Sequence, residues 1–222
     1  MSHPDSFVMF LPAFRLSSLR LFSDFSLRFA VWLRRWPSGC PTMTRAMLRM
    51  SVCLVAASGL LAACSPTYDW RTVMNNDNGY TVDLPAKPSN DARQINVAGA
   101  SMKMAMQTAE AGPAVFAVGT LILPSDDPQV QRTALDFLLD GLARNVGTAP
   151  AAHAVQIPLA AGGQVPGLEM TLSGKAGEQK ETRTIYARFV AHGRHVYQAA
   201  IIASQPLPQD QVDQFFQSFQ LY

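Results

Sequence analysis

Cysteine is scarce: the 222 residues contain three, at positions 40, 53 and 64. Only Cys64 lies beyond residue 63, so the long C-terminal stretch can build no disulfide, zinc cluster or thiol nucleophile from its own cysteines. Charge is also thin, at 15% of residues, and unevenly spread. Residues 1–63 hold seven Arg and two Asp, whereas residues 64–222 hold eleven Lys or Arg against fourteen Asp or Glu. The larger part is mildly acidic, which excludes nucleic acid as its main partner. There is no G-x-S-x-G, no Walker A and no G-x-G-x-x-G at a strand–helix junction. Gly162-Gly163 lies in an apolar loop with no Lys-Ser/Thr after it, so it does not cradle phosphate. Internal repeats and low-complexity blocks are absent. An apolar content of 48% with 14 Gly and 15 Pro excludes a disordered or collagen-like chain.

What is present begins with residues 43–64, MTRAMLRMSVCLVAASGLLAAC. Arg45 and Arg49 form a basic start, and Val52 to Ala63 is apolar apart from Ser58 and Gly59. At about 12 residues this run suits a signal-peptide core and falls short of the ~20 needed to span a bilayer as a helix. It ends in Leu61-Ala62-Ala63-Cys64. That ending resembles the lipobox of bacterial lipoproteins, in which small residues fit the signal peptidase and the Cys thiol takes a diacylglycerol. The resemblance implies cleavage between Ala63 and Cys64, with Cys64 as the acylated, palmitate-bearing N-terminus of the mature protein. Two or three acyl chains at ~0.8 kcal/mol per buried CH₂ hold more firmly than a single myristoyl. Ser65 after the Cys resembles the outer-membrane pattern rather than the Asp that favours inner-membrane retention. Residues 1–42 are too long for a bacterial n-region; translation from Met43 or Met47 is expected, with 1–42 a mis-assigned upstream extension.

Past the anchor, residues 64–68 read as a short lipidated tether and 69–222 as one domain. Four residues, Ser65 to Tyr68, span at most about 13 Å, so the domain is expected close to the membrane. Strand signals dominate it. Tyr80 to Leu84 alternates and stops at Pro85; Met102, Met104 and Met106 alternate with smaller or polar residues; Ala114 to Leu123 is apolar throughout, as in a central strand. Leu168 to Leu172, Ile185 to Phe189 and Val196 to Ser204 follow on short loops, which implies antiparallel hairpins. His192-Gly193-Arg194 marks a turn, with the glycine where φ is positive. A helix is predicted over 128–146, capped by Asp127, opened by Pro128 and closed by Gly147. Its buried stripe is Leu135, Leu138, Leu139, Leu142 and Val146. A second helix starts near Pro208, with Val212, Phe215, Phe216 and Phe219 on one side.

The fold class expected is therefore α+β, a mainly antiparallel sheet packed against two helices. The Tyr80 strand ending in Pro, the helix after Pro128 and the Phe-rich close from Phe215 to Leu221 resemble the PsbP-like fold, an α/β/α sandwich that includes bacterial DcrB-type lipoproteins. The resemblance covers residues 69–222 and implies binding or assembly roles rather than catalysis.

Three groups could carry chemistry. Met102, Met104 and Met106 put three thioethers on one strand face, with Cα atoms ~6.8 Å apart. Thioethers select Cu(I), but Met also fills cores, and no adjacent Cys or His completes a site. His192 and His195 flank a turn and His153 lies in a loop at the Ala-rich stretch Ala149–Ala154; all three read as surface histidines. Asp136 and Asp140 share a helix face, each with an Arg four residues away, Arg132 and Arg144, and read as a charge-balanced solvated face. The function expected is a non-enzymatic, lipid-anchored module at the periplasmic face of the outer membrane that binds or assembles with an envelope protein, without a cofactor. Edge strands or the aromatics Tyr68, Trp70 and Tyr222, expected to be exposed, would supply the contact. The alternative is a small-molecule or copper-binding lipoprotein using the Met stripe or a sheet–helix cavity. An envelope hydrolase would need a nucleophile–base pair that no spacing nominates.

Overall fold

A computed structural model describes residues 66–147, 149, 151–176 and 181–222. The Leu61–Cys64 motif, the acyl acceptor itself and residues 1–60 lie outside the described residues, as does most of the loop between Lys175 and Glu181. No described helix is long and apolar enough to cross a membrane.

The long helix forms where its end signals lie. Helix α1 spans Pro128–Val146. Asp127 accepts hydrogen bonds at Oδ1 from the backbone N–H of Gln129 (2.7 Å) and Val130 (3.3 Å), satisfying two of the amides a helix start leaves open. Gly147 closes it at φ +67°, donating its N–H back to the last turn. Leu138, Leu139, Leu142 and Val146 are buried along the stripe, and Leu135 packs at its border. The second helix, α2, spans Gln209–Ser218 after Pro208.

Among the described residues ten strands accompany them: β1 (Arg71–Asn75), β2 (Tyr80–Leu84), β3 (Ser89–Val97), β4 (Ala100–Ala111), β5 (Ala114–Ile122), β6 (His153–Pro158), β7 (Gln164–Ala176), β8 (Glu181–His192), β9 (His195–Ala203) and β10 (Gln220–Leu221). Seven form one antiparallel sheet in the order β3-β4-β5-β9-β8-β7-β6. The expectation of a mainly antiparallel α+β fold with two helices is met. A single sheet is not: β1, β2 and β10 make a separate three-stranded sheet.

The large sheet separates two cores. On one face β4, β5, β8 and β9 bury Met104, Leu121, Ile185, Phe189 and Val196 under α1. On the other, Phe116, Val118, Tyr197 and Ile201 meet α2 and the small sheet through Phe215, Phe216, Phe219, Tyr80 and Val82. Strand β5 is buried on both sides because it lies inside the sheet, which is why its sequence is apolar without alternation.

One strand has no signal in the sequence, and a few residues depart from their reading. Residues 89–97 carry no strand alternation, yet form the edge strand β3, whose first four residues are exposed and have no core to pattern them. His153, expected in a loop, opens β6, paired with Glu169 across the ladder. Tyr68 and Trp70 are half-buried rather than exposed: Tyr68 stacks on Trp70 at 6.0 Å, both meet Phe116 in T-shaped contacts, and Trp70 Nε1 donates to Gln211 Oε1 at 3.1 Å. Tyr222 is 43% exposed, as expected.

Candidate functional site

The methionine row follows from the alternation of β4. Met102 and Met104 are buried under α1, and Met106 packs at the margin of the same core. Met106 also receives the guanidinium of Arg93, whose Nη2 lies 3.6 Å from Sδ. Arg93 reaches it because β3 pairs with β4 in the register Arg93↔Met104. A positive charge thus sits on the sulfur that a Cu(I) ion would need. Among the described residues no three of His, Cys, Asp and Glu gather as a metal site. The row does what flexible thioethers do in cores, filling an irregular gap.

That gap has a cause. Gly119 on β5 faces α1, and a Cβ built there would lie 2.6 Å from Met104 Cε, so the Met104 methyl occupies the space a side chain would take. Across from the sheet, Gly141 is buried inside α1, and a Cβ there would meet nothing within 4 Å. Together they leave a half-open recess with room for about one water molecule. It is lined by Arg93, Met104, Phe137, Leu138, Gly141, Leu142 and Gln198. Gln198 is 5% exposed and stands opposite Gly119 on β9. Arg93 Nε is buried with no hydrogen-bond partner among the described residues.

Sequence reasoning passed over Arg93, Gly119, Gly141 and Gln198. Two signals were available: a glycine inside an otherwise leucine-rich helix, and one amide interrupting the apolar run from Val196 to Ser204. Arg93 gave none, because it lies in a polar edge strand.

The histidines divide. His192 and His195 are cross-strand partners at the β8–β9 turn, where Gly193 takes φ +55° as its turn requires. Burial lowers the pKa of His195, with Arg194 and His192 adding to the shift, so its ring favours the neutral form. His153 has a side chain 67% exposed and its Nε2 lies 3.3 Å from Glu169 Oε1. Glu169 also accepts from Arg188 Nε. Arg188 in turn donates to the Phe216 carbonyl at 3.1 Å and lies 4.9 Å over the Phe216 ring, so this cluster fastens the end of α2 to the sheet.

Asp136 and Asp140 are exposed on α1, as are Arg132 and Arg144. The expected i,i+4 ion pairs are not made: among the described residues, pairs within 4 Å join Arg71–Asp69, His153–Glu169, Arg183–Glu181 and Arg188–Glu169. Water screens these long side chains well enough that pairing gains little over solvation.

The opposite core holds a closed polar chain. Asn75 Nδ2 donates to Tyr80 Oη, Tyr80 donates to Gln107 Oε1, and Gln107 Nε2 donates to Asn90 Oδ1, at 3.1, 3.1 and 2.9 Å. Tyr197 Oη donates to the Asn78 carbonyl at 2.8 Å. Burial pushes the Tyr80 phenol up to about 12 and raises Tyr197 further. Neither phenol is poised to act as a base near neutrality; both are structural. Comparison with family models, curated proteins and solved structures finds no match to this chain.

Proposed function

We propose that this chain is a lipid-anchored lipoprotein of the bacterial envelope, held at the periplasmic face of the outer membrane through Cys64. Its domain is a non-enzymatic binding or assembly module for another envelope protein. The observation that carries the reading is Leu61-Ala62-Ala63-Cys64 at the end of a short apolar run behind Arg45 and Arg49. The entry of the domain supports it. Thr67 lies against the β4–β5 turn, its Cγ2 3.1 Å from where a Cβ on Gly112 would be, and Tyr68 is fixed on Trp70 and Phe116. Only Ser65 and Pro66 therefore separate Cys64 from packed structure, a reach of about 10 Å to Thr67. The β4–β5 end of the sheet then faces the bilayer, and the β8–β9 turn, at the far end of nine-residue β9, points away from it. A helix on each face of an antiparallel sheet also supports the PsbP-like reading, whose members serve mainly in binding and assembly.

The test is Cys64→Ser in the full chain. The wild type is expected in the membrane fraction with an acylated N-terminus by mass spectrometry, and the variant as an unprocessed precursor. Unchanged processing and membrane association in the variant would defeat the anchor. The partner is tested separately, by photocrosslinkers in intact cells at Met74 (69% exposed) and at Tyr222. One discrete envelope protein is expected; persistent absence of any product, with turnover by the purified chain, would defeat the module reading.

A further inference from the structure

The recess between α1 and the sheet is lined by Arg93, whose buried Nε has no hydrogen-bond partner among the described residues. We infer that it is an anion site, taking the carboxylate of a slender small molecule on Arg93 with its body against Met104 and Gly141. The inference is independent of the anchor at Cys64.

The argument starts from hydrogen bonds left unmade. A buried N–H without an acceptor is costly and rare, and one in a native fold points to a group not belonging to the chain. Arg93 Nε is such a donor. Among the described residues its neighbour Nη2 meets only the Met106 thioether, a weak acceptor. None of the ion pairs among the described residues involves Arg93. A guanidinium in this position is short of negative charge as well as of an acceptor, and a carboxylate supplies both through paired N–H···O bonds. Gln198, more than nine-tenths buried, adds a polar side chain to the lining of the same recess.

The walls set the size. As it stands the recess has room for about one water molecule. One wall is movable: the Met104 methyl lies in the hollow over Gly119, held there by an unbranched and flexible thioether. The opposite wall is open at Gly141, where no atom lies within 4 Å of a would-be Cβ. A body of one to three carbons fits between the glycines when Met104 shifts; a ring or a branched chain meets Leu138 and Leu142.

The experiment uses the full chain in detergent micelles, with ¹³C-labelled Met methyl groups observed by NMR and Met104 assigned through Met104→Leu. Acetate, propionate, benzoate and inorganic phosphate are titrated at constant ionic strength. Acetate or propionate is expected to shift the Met104 methyl saturably, with half-saturation near the millimolar range that so few non-hydrogen atoms allow. Benzoate and phosphate are expected to leave it in place. Arg93→Gln is expected to weaken the response about tenfold, as loss of a charged pair does. Gly141→Ala favours the helix, so it keeps the fold while placing a methyl group in the recess, and is expected to weaken the response as well. No saturable shift, or equal shifts in Arg93→Gln and wild type, would overturn the inference and leave a water molecule as the occupant.

Discussion

The two faces of the large sheet are built on different principles. The α2 face is aromatic: Phe116, Phe215, Phe216, Phe219, Tyr80 and Tyr197 touch at centroid separations of 5.1–6.2 Å, and their polar tips are bonded. The α1 face is aliphatic and thioether-rich, and it leaves a gap between two glycines, with the buried Arg93 Nε unbonded among the described residues. Aromatic rings have few rotamers and fixed shapes, so a face made of them closes completely or not at all. Leucine and methionine adapt, so a face made of them tolerates a hole and can move to fill it. Stiffness is concentrated where the chain is tied together, and compliance where a ligand would enter.

The contrast can be broken most forcefully at its aromatic centre. Phe116→Ala removes a ring that is fully buried and touches Tyr68, Trp70 and Phe215, so a loss of about 3–5 kcal/mol is expected in denaturant unfolding. A loss below about 1 kcal/mol would show that this face yields as readily as the other. Next comes Gly167→Ala on β7, where a Cβ would lie 2.8 Å from the Phe189 carbonyl oxygen; backbone cannot step aside, and about 1–3 kcal/mol is expected to be lost. The same substitution at Gly119 presses only on the end of Met104 and should be the milder of the two.

Tyr80→Phe is smaller still. It strands Gln107 Oε1 and Asn75 Nδ2 and is expected to cost about 1–2 kcal/mol. It also changes the pH dependence. Between pH 10 and about 12 the unfolded phenol ionises while the folded one keeps its proton, so stability falls as pH rises through that window. The slope should be shallower in the variant, as pH-dependent thermal melts will show. Gly141→Ala runs the other way: it adds a methyl group to open space and is expected to stabilise by about 0.5–1 kcal/mol. A destabilisation there would mean that the recess is already filled. The least effect is expected at His195. Its folded pKa lies below the unfolded value near 6.5, so stability declines as pH drops below that value, and His195→Gln should flatten the decline.

How far the fold was legible depended on where each signal resides. The ends of α1 were legible to the residue because Asp127, Pro128 and Gly147 act within one helical turn of themselves. Strands buried on one or both faces were legible from their alternation or apolar runs. β3 and most of β6 were not, because an edge exposed to water imposes no pattern. The division into two sheets was hidden as well: Tyr80 to Leu84 alternates equally well whichever sheet it joins, and its partner β10 comes from the other end of the chain. The recess was hidden for the same reason. Arg93, Gly119, Gly141 and Gln198 converge from four elements, and only the helix glycine and the lone strand amide were locally out of place.

The order of the large sheet carries one more consequence. β3-β4-β5 is a meander of neighbours, β6 to β9 is another, and they join where residues 114–122 pair with 195–203. Loop closure over about 80 residues must precede that seam, so the halves assemble quickly and their union sets the pace of folding. Until the second half arrives, β5 presents a naked ladder, apolar but for Thr120, that invites wrong pairing. A nascent chain delivered in sequence order must be shielded there, and zipping the seam is also the step that first brings Arg93 and Gln198 to a common chamber.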